Sequence, residues 1–274
     1  YILIGPDVWK ETRENPDFIE DPYIFIAWKE KASQEGLNIR VGRWNVSGQP
    51  VVILVDFTPY FTEKDQILYD FWEKYKLDSL SGQWDYIEPA LFGYAAAKVI
   101  ESFYDFNISA QDNVVAHFHE WMTGTGILHL NEAVPQAGTV FTTHATVMGR
   151  SIAGHALPLY KDLKKFDINR LARDFGVNSK HSLEKTSANV ADCLTTVSEI
   201  TSKECAQFLD RECDVITVNG FEDSIVAPET KLVEKRKQSR KTIFQIVEGL
   251  LNQKVSEDSF LLINSGRYEF KNKG

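Results

Sequence analysis

Two short stretches, Asn113-Val-Val-Ala-His117 and Thr139-Val-Phe-Thr142, decide how this chain is read. Each is brief, apolar and rich in β-branched residues, and each runs straight into polar side chains, the pattern of a buried strand. Six more stretches share it: Tyr1–Ile4, Asn38–Trp44, Val51–Phe57, Cys193–Val197, Val215–Val218 and Phe260–Ile263. Amphipathic segments lie between them. Over Glu63–Lys76, Ile67, Leu68, Phe71 and Trp72 share one face; over Pro89–Phe106, Phe92, Ala96, Val99, Ile100 and Phe103 do the same. Ser182–Val190 and Ser198–Leu209 add two helices, and Ser198 is placed to cap the first turn of the second. Alternating strands and helices predict parallel βαβ units in an open, doubly wound α/β sheet. In such a sheet ligands bind beyond the carboxyl ends of the strands, so the residues that follow each strand are the ones to read for chemistry.

The 274 residues carry 30 Lys and Arg against 39 Asp and Glu, a formal net charge of −9. Hydrophobic residues make up 43% and charged residues 25%, a globular composition that excludes a disordered tail, a collagen-like chain and a disulfide-stapled one. The acidic balance argues against nucleic acid as a partner, because coating phosphates takes excess positive charge. No run of 18 apolar residues is present to span a membrane, and no stretch reads as a signal peptide. Cys193, Cys205 and Cys213 cannot all pair, so free thiols in a reducing cytoplasm are expected. The chain opens on Tyr1 inside one apolar run and stops at Lys273-Gly274 after another, and is expected to be a fragment of a longer polypeptide. A long helix is predicted over Glu229–Lys254, with Ile243, Phe244, Ile246, Val247, Leu250 and Leu251 at helical spacing. Its first part, Lys231 to Lys241, holds six basic residues and Glu234: a solvated face first, an anion or partner site second.

The strand ends concentrate polar groups. Asn113–His117 leads into Phe118-His119-Glu120-Trp121, and Thr139–Thr142 into Thr143-His144-Ala-Thr146-Val-Met-Gly149-Arg150. Cys193–Val197 ends in Ser198, Val215–Val218 in Asn219-Gly220, and the last run in Gly266-Arg267. Several such ends together suggest a site. His117, His119, Glu120 and His144 offer three nitrogens and a carboxylate to a zinc ion, but no second cluster has metal spacing, and a hydrogen-bonded histidine at a strand end is the commoner outcome. No G-x-S-x-G elbow supports a serine hydrolase, and no G-x-G-x-x-G follows any strand, which disfavours a dinucleotide oxidoreductase.

His117-Phe-His-Glu-Trp121, followed by Val140-Phe-Thr-Thr-His144-Ala-Thr-x-x-Gly149-Arg150, resembles glycogen synthase of the animal and fungal type, glycosyltransferase family 3. Thr195-Thr-Val-Ser198-x-Ile-Thr201, Asn219-Gly220 and Gly266-Arg-Tyr-Glu-Phe-x-Asn-Lys-Gly274 follow in the family's order, and Gly42-Arg43-Trp44 with the strand Val51–Phe57 also fits. The resemblance covers nearly the whole chain. It implies the GT-B fold, two Rossmann-like domains facing each other across a cleft. On that reading residues 1–228 are the N-terminal domain without its first strand, 229–254 a helical segment that could contact a second copy, and 259–274 the start of the second domain. The implied activity is transfer of glucose from UDP-glucose to the 4-hydroxyl of a growing α-1,4-glucan with retention, in the cytoplasm, the fragment alone being inactive. Another GT-B sugar transferase, or a non-catalytic carbohydrate-binding or assembly module, is the alternative.

The same resemblance assigns residues. His144 and Arg150 match the donor-contacting pair, and Gly149 would keep the turn narrow enough for Arg150 to reach the cleft. Arg267 and Lys273 match the basic pair on the diphosphate, doing what a metal does elsewhere, so no metal or other cofactor is expected. Glu120 would orient the acceptor or balance charge on the sugar, His119 would support from behind, and Asn219 would bind a sugar hydroxyl or simply form a turn. Animal and fungal members are switched on by glucose 6-phosphate through a helical segment bearing His and Gln. Here residues 227–241 contain no histidine and Gln238 as their sole Gln, so no activation is expected, with Arg236, Lys237, Arg240 and Lys241 as the rival phosphate site.

Overall fold

The computed structural model describes residues 1–8 and 17–263, in two compact units, Tyr1–Val218 and Asn219–Gly274. In the first unit the strands are β1 (Ile2–Pro6), β2 (Phe18–Glu20), β3 (Asn38–Trp44), β4 (Val51–Asp56), β5 (Val115–His119), β6 (Gly138–Thr143), β7 (Cys193–Thr196) and β8 (Val215–Ile216). The helices are α1 (Ile26–Gln34), α2 (Lys64–Tyr75), α3 (Trp84–Asn107), α4 (Gly124–Ala133), α5 (Val147–Gly154), α6 (Ile168–Asp174), α7 (Asn178–Val190) and α8 (Glu199–Glu204), the last running on into a π-helical turn over Cys205–Leu209.

The α/β architecture is the expected one, and β5–β8 form a fully parallel sheet in that order, each pair joined by helices. The first four strands depart from a single parallel sheet. They pair separately in the order β1-β4-β3-β2, with β1 parallel to β4 but β3 antiparallel to β4, and β2 antiparallel to β3. The reason is the connection between β3 and β4. Six residues, 45–50, are too few for a crossover, which takes a dozen or more, so the chain reverses in a hairpin through Gly48 at φ 82° and Gln49 at φ 38°. β4 still reads as a continuous apolar run because Val52 to Val55 are covered on both faces.

Helix α3 is the spine. Its small residues let it touch three apolar clusters: Ala95 and Val99 lie against Trp28, Val41, Ile53 and Val55; Ala97 against Phe118, Phe141 and Leu194; Ala90 and Leu91 against Phe71 and Leu128. It begins at Trp84, five residues before the predicted start, and Pro89 falls inside it, where it forgoes one helical hydrogen bond. Gly93 and Gly126 set the crossing of α3 and α4: a Cβ on Gly126 would stand 2.5 Å from Phe118 Cε1 and 2.8 Å from the Gly93 carbonyl oxygen, and Thr125 Oγ1 donates to the Ala90 carbonyl at 2.6 Å. That close fit fixes α4, and with it the end of β5. Phe141, at the centre of the parallel sheet, is fully buried, worth roughly 1.5–3 kcal/mol of transfer free energy.

The second unit is dominated by α9 (Glu229–Leu251), ending at Asn252 in the left-handed conformation. The sequence predicts a strand at Phe260–Ile263; these residues are irregular, and Phe260, Leu262 and Ile263 are exposed, since an apolar run forms a strand only where another pairs with it. Arg240 is not an open cation: its guanidinium stacks on Phe244 at 4.5 Å and donates to the carbonyls of Glu257, at 2.8 Å, and Ser259. Among the described residues no helix is long and apolar enough to cross a membrane.

Candidate active site

At the carboxyl edge of the parallel sheet β5 and β6 pair in register, His117 opposite Val140 and His119 opposite Thr142. Alternation along β5 turns Phe118 into the core and both histidines to the other face, where their rings stack 4.2 Å apart. His117 Nε2 and Thr142 Oγ1 are hydrogen-bonded at 2.6 Å, and Thr142 Oγ1 meets Thr195 Oγ1 of β7 at 2.5 Å. His119 Nδ1 stands 3.4 Å from His144 Nε2. Burial, then the charge of His144, lowers the pKa of His117; burial, then His117 and His144, lowers that of His119. Burial first, and the neighbouring rings second, thus favour neutral imidazoles in the strand pair.

Glu120 follows β5 in a conformation that a side chain rarely takes, φ 66° and ψ 159°, a region essentially reserved for glycine. Such strain costs on the order of 1–3 kcal/mol and persists where the surroundings over-determine it. Here they do. The Glu120 amide donates to the Thr142 carbonyl at 2.8 Å, its carbonyl accepts from the Thr123 amide at 3.1 Å, and its carboxylate Oε1 accepts from the His144 amide at 2.9 Å. Arg150 Nη2 comes within 4.0 Å of the same oxygen, with most of its side chain in solvent.

The turn that carries His144 is gripped from below. The fully buried Glu184 of α7 accepts the Thr143 hydroxyl at 3.0 Å through Oε1 and the Val147 amide at 2.9 Å through Oε2. Glu204 of α8 accepts the Thr146 hydroxyl at 2.7 Å and the Tyr160 hydroxyl at 2.9 Å. Thr146 in turn caps α5, its Oγ1 accepting the Gly149 amide at 2.9 Å. Gly149 therefore serves a different end from the one expected of it: it lies inside α5, and its missing Cβ makes room for the Glu204 carboxylate.

Burial pushes the Glu184 carboxyl up from 4.5 to about 8; the Val147 amide and Thr143 hydroxyl oppose the shift, and the charges of Glu120 and Glu204 reinforce it. The folded protein then holds a proton that the unfolded chain has already released, so this group's contribution to stability falls as pH rises from about 5 to about 8. Urea midpoints measured across that window are expected to fall more steeply for the wild type than for Glu184→Gln, which has nothing to titrate. Parallel slopes would assign the group an ordinary pKa.

Of the residues read from sequence, Glu120, His144, Arg150, His117 and His119 come together in the first unit. Ser198 caps α8 as expected, accepting the Thr201 amide at 3.2 Å. Asn219 opens the second unit, exposed and in irregular chain with Gly220 rather than in a turn. Arg267 and Lys273 lie outside the described residues. Among the described residues no three His, Cys, Asp or Glu side chains are grouped to hold a metal ion. Sequence reasoning missed Glu184 and Glu204. The sequence signal for them was weak: Glu184 shares its buried face with His181, Ser187 and Ala188, and only Glu204, with Thr201, Cys205 and Phe208, neighbours apolar residues.

The family model described as glycogen synthase matches residues 1–274. Among curated proteins, the chain is similar over its whole length to the glycogen [starch] synthase of Caenorhabditis elegans, at 31% identity over 41% of that protein. It is equally similar to the mouse liver glycogen [starch] synthase, at 31% identity over 39% of it, and shares 29% identity with the Neurospora crassa protein over 39%. The chain thus spans about two fifths of the length of the curated relatives it matches.

Proposed function

We propose a function from one premise: the chain belongs to the glycogen synthase family. The complete polypeptide is then a retaining glucosyltransferase of the GT-B class that moves glucose from UDP-glucose to the 4-hydroxyl of a growing α-1,4-glucan. The observation that carries the reading is the joining of Glu120, in its strained backbone, to the His144 turn at the carboxyl edge of a parallel sheet.

The chemistry asks for groups at two places. As the glycosidic bond breaks, negative charge grows on the departing diphosphate and positive charge on the sugar, and groups fixed where charge develops lower the barrier most. His144 and Arg150, both beside the Glu120 carboxylate, are assigned to the donor sugar. The Glu120 carboxylate, locked to the His144 amide, sets a negative charge beside them. Arg267 and Lys273 are assigned to the diphosphate. On this reading the two cations do the work of a divalent ion, and no metal requirement is expected.

Glucose incorporation into glycogen by the complete polypeptide, with UDP-glucose and ADP-glucose as rival donors, tests the reading. Incorporation from UDP-glucose that survives EDTA is expected, and residues 1–274 alone are expected to turn over nothing, because a one-walled cleft neither holds the donor nor excludes water. Preference for ADP-glucose points to the other GT-B transferase. Glucan binding without transfer from either donor points to the non-catalytic module. Loss on chelation, restored by zinc or magnesium, removes the metal-free assignment.

A further inference from the structure

Three carboxyl groups from three separate elements converge on the five residues Thr143 to Val147: Glu120 from the end of β5, Glu184 from α7 and Glu204 from α8. Glu120 touches the proposed chemistry and Glu204 serves the cap of α5. Glu184 does something else. Its two oxygens hold the two ends of the turn, Thr143 on one side of His144 and Val147 on the other. Other ties reach those ends: Thr143 is paired with Thr196 of β7, and the Val147 carbonyl accepts the Ser151 hydroxyl at 2.8 Å. The Thr143 carbonyl accepts the Thr196 hydroxyl at 2.8 Å, and the Val147 amide, at the first position of α5, has no helical carbonyl to reach. Two buried residues of α7 further on, Ser187 and Ala188, fix the rotation of the helix that delivers Glu184, and Ser187 packs against Gly124 at the start of α4. The same helices that set the end of β5 therefore set the span of the His144 turn.

We propose that Glu184 is a positioning residue for His144, its carboxyl group bridging Thr143 and Val147 and so fixing where the imidazole stands relative to Glu120 and His119. The inference deepens the transferase reading and rests on it for its kinetic part. A bridge of this kind needs an acceptor for the Val147 amide and a polar partner for the Thr143 hydroxyl, which can rotate to donate or accept. A glutamine supplies both. A methionine of similar length supplies neither.

The test compares Glu184→Met with Glu184→Gln in the complete enzyme, using two readouts. One is the split between kcat and the donor KM. The other is the rate at which diethyl pyrocarbonate modifies His144, read by peptide mass spectrometry with the exposed His155 as internal reference. Glu184→Met is expected to lower kcat about tenfold with KM within twofold, and to raise His144 modification several-fold while His155 is unchanged. Glu184→Gln is expected to recover most of both. If Glu184→Met does not fold, Thr143→Val removes one anchor at nearly constant shape and is expected to shift the same readouts by about threefold. A folded Glu184→Met or Thr143→Val with wild-type kcat and wild-type His144 reactivity overturns the proposal. So does a Glu184→Gln as impaired as the methionine variant. Failure of the wild-type enzyme to transfer glucose from any donor sinks the reading of function instead, and the modification rates then decide the positioning role by themselves.

Discussion

In the complete polypeptide, His144→Ala is expected to lower kcat about a hundredfold, equivalent to about 3 kcal/mol of transition-state stabilisation, without unfolding the protein. The substitution is unusually clean. Glu120 grips His144 through its backbone amide, at 2.9 Å, and alanine keeps that amide. The anchors on Thr143, Thr146 and Val147 are untouched as well. What disappears is the imidazole, 3.4 Å from His119 Nδ1. Its loss should also register at a distance, because the charge of His144 helps to hold the pKa values of His117 and His119 down. In His144→Ala both are expected to move back up, visible as later midpoints in an NMR titration of the two rings. Arg267→Ala should match the kinetic loss if the diphosphate assignment is right. A folded His144→Ala with wild-type kinetics and unmoved titrations would remove the imidazole from the mechanism.

The parts of this molecule legible in its sequence are those governed by local pattern. The strands β5, β6 and β7 were readable because each is a short β-branched run closed by polar residues, and their parallel pairing followed from the helices between them. The β3–β4 hairpin was equally local, written in the six-residue connector, but the expectation of uniform βαβ units overrode it. Phe260–Ile263 carried the composition of a strand, yet pairing is a property of two segments. The site divides in the same way. Glu120 and His144 stand on motifs at strand ends. Glu184 and Glu204 reach the same turn from helices 41 and 58 residues downstream of Thr143 and Thr146, and no local pattern reports which turn a buried acid will meet. Nor did their faces mark them: Glu184 shares its face with His181, Ser187 and Ala188, a mixed stripe in which an acid does not stand out.

Gly149→Ala is expected to destabilise the fold by about 2 kcal/mol, and the sign is worth arguing because helix propensity points the other way. Inside α5 alanine should gain roughly 1 kcal/mol over glycine. Against that, the new Cβ would overlap Glu204 Oε2 and stand 2.7 Å from Thr146 Oγ1 and 2.8 Å from Glu204 Cδ. Glu204 cannot swing aside cheaply, because it is buried and its oxygens are held by the Thr146 and Tyr160 hydroxyls. Releasing Thr146 forfeits a hydrogen bond to a charged group, worth about 1.5–3 kcal/mol, and staying put overpacks the site by a similar amount. Either route exceeds the propensity gain. A lower urea midpoint at unchanged m is the expected observation, and the origin of the loss is open to a double-mutant cycle. With Glu204→Ala as background the carboxylate is gone and Thr146 Oγ1, at 2.7 Å, is the close contact that remains, so Gly149→Ala should then cost clearly less. The same cost in both backgrounds would mean that the carboxylate is not what requires glycine at this position. Arg150 follows Gly149 on the same helical turn, so the substitution that moves Glu204 should also disturb the Arg150–Glu120 approach and lower kcat along with stability.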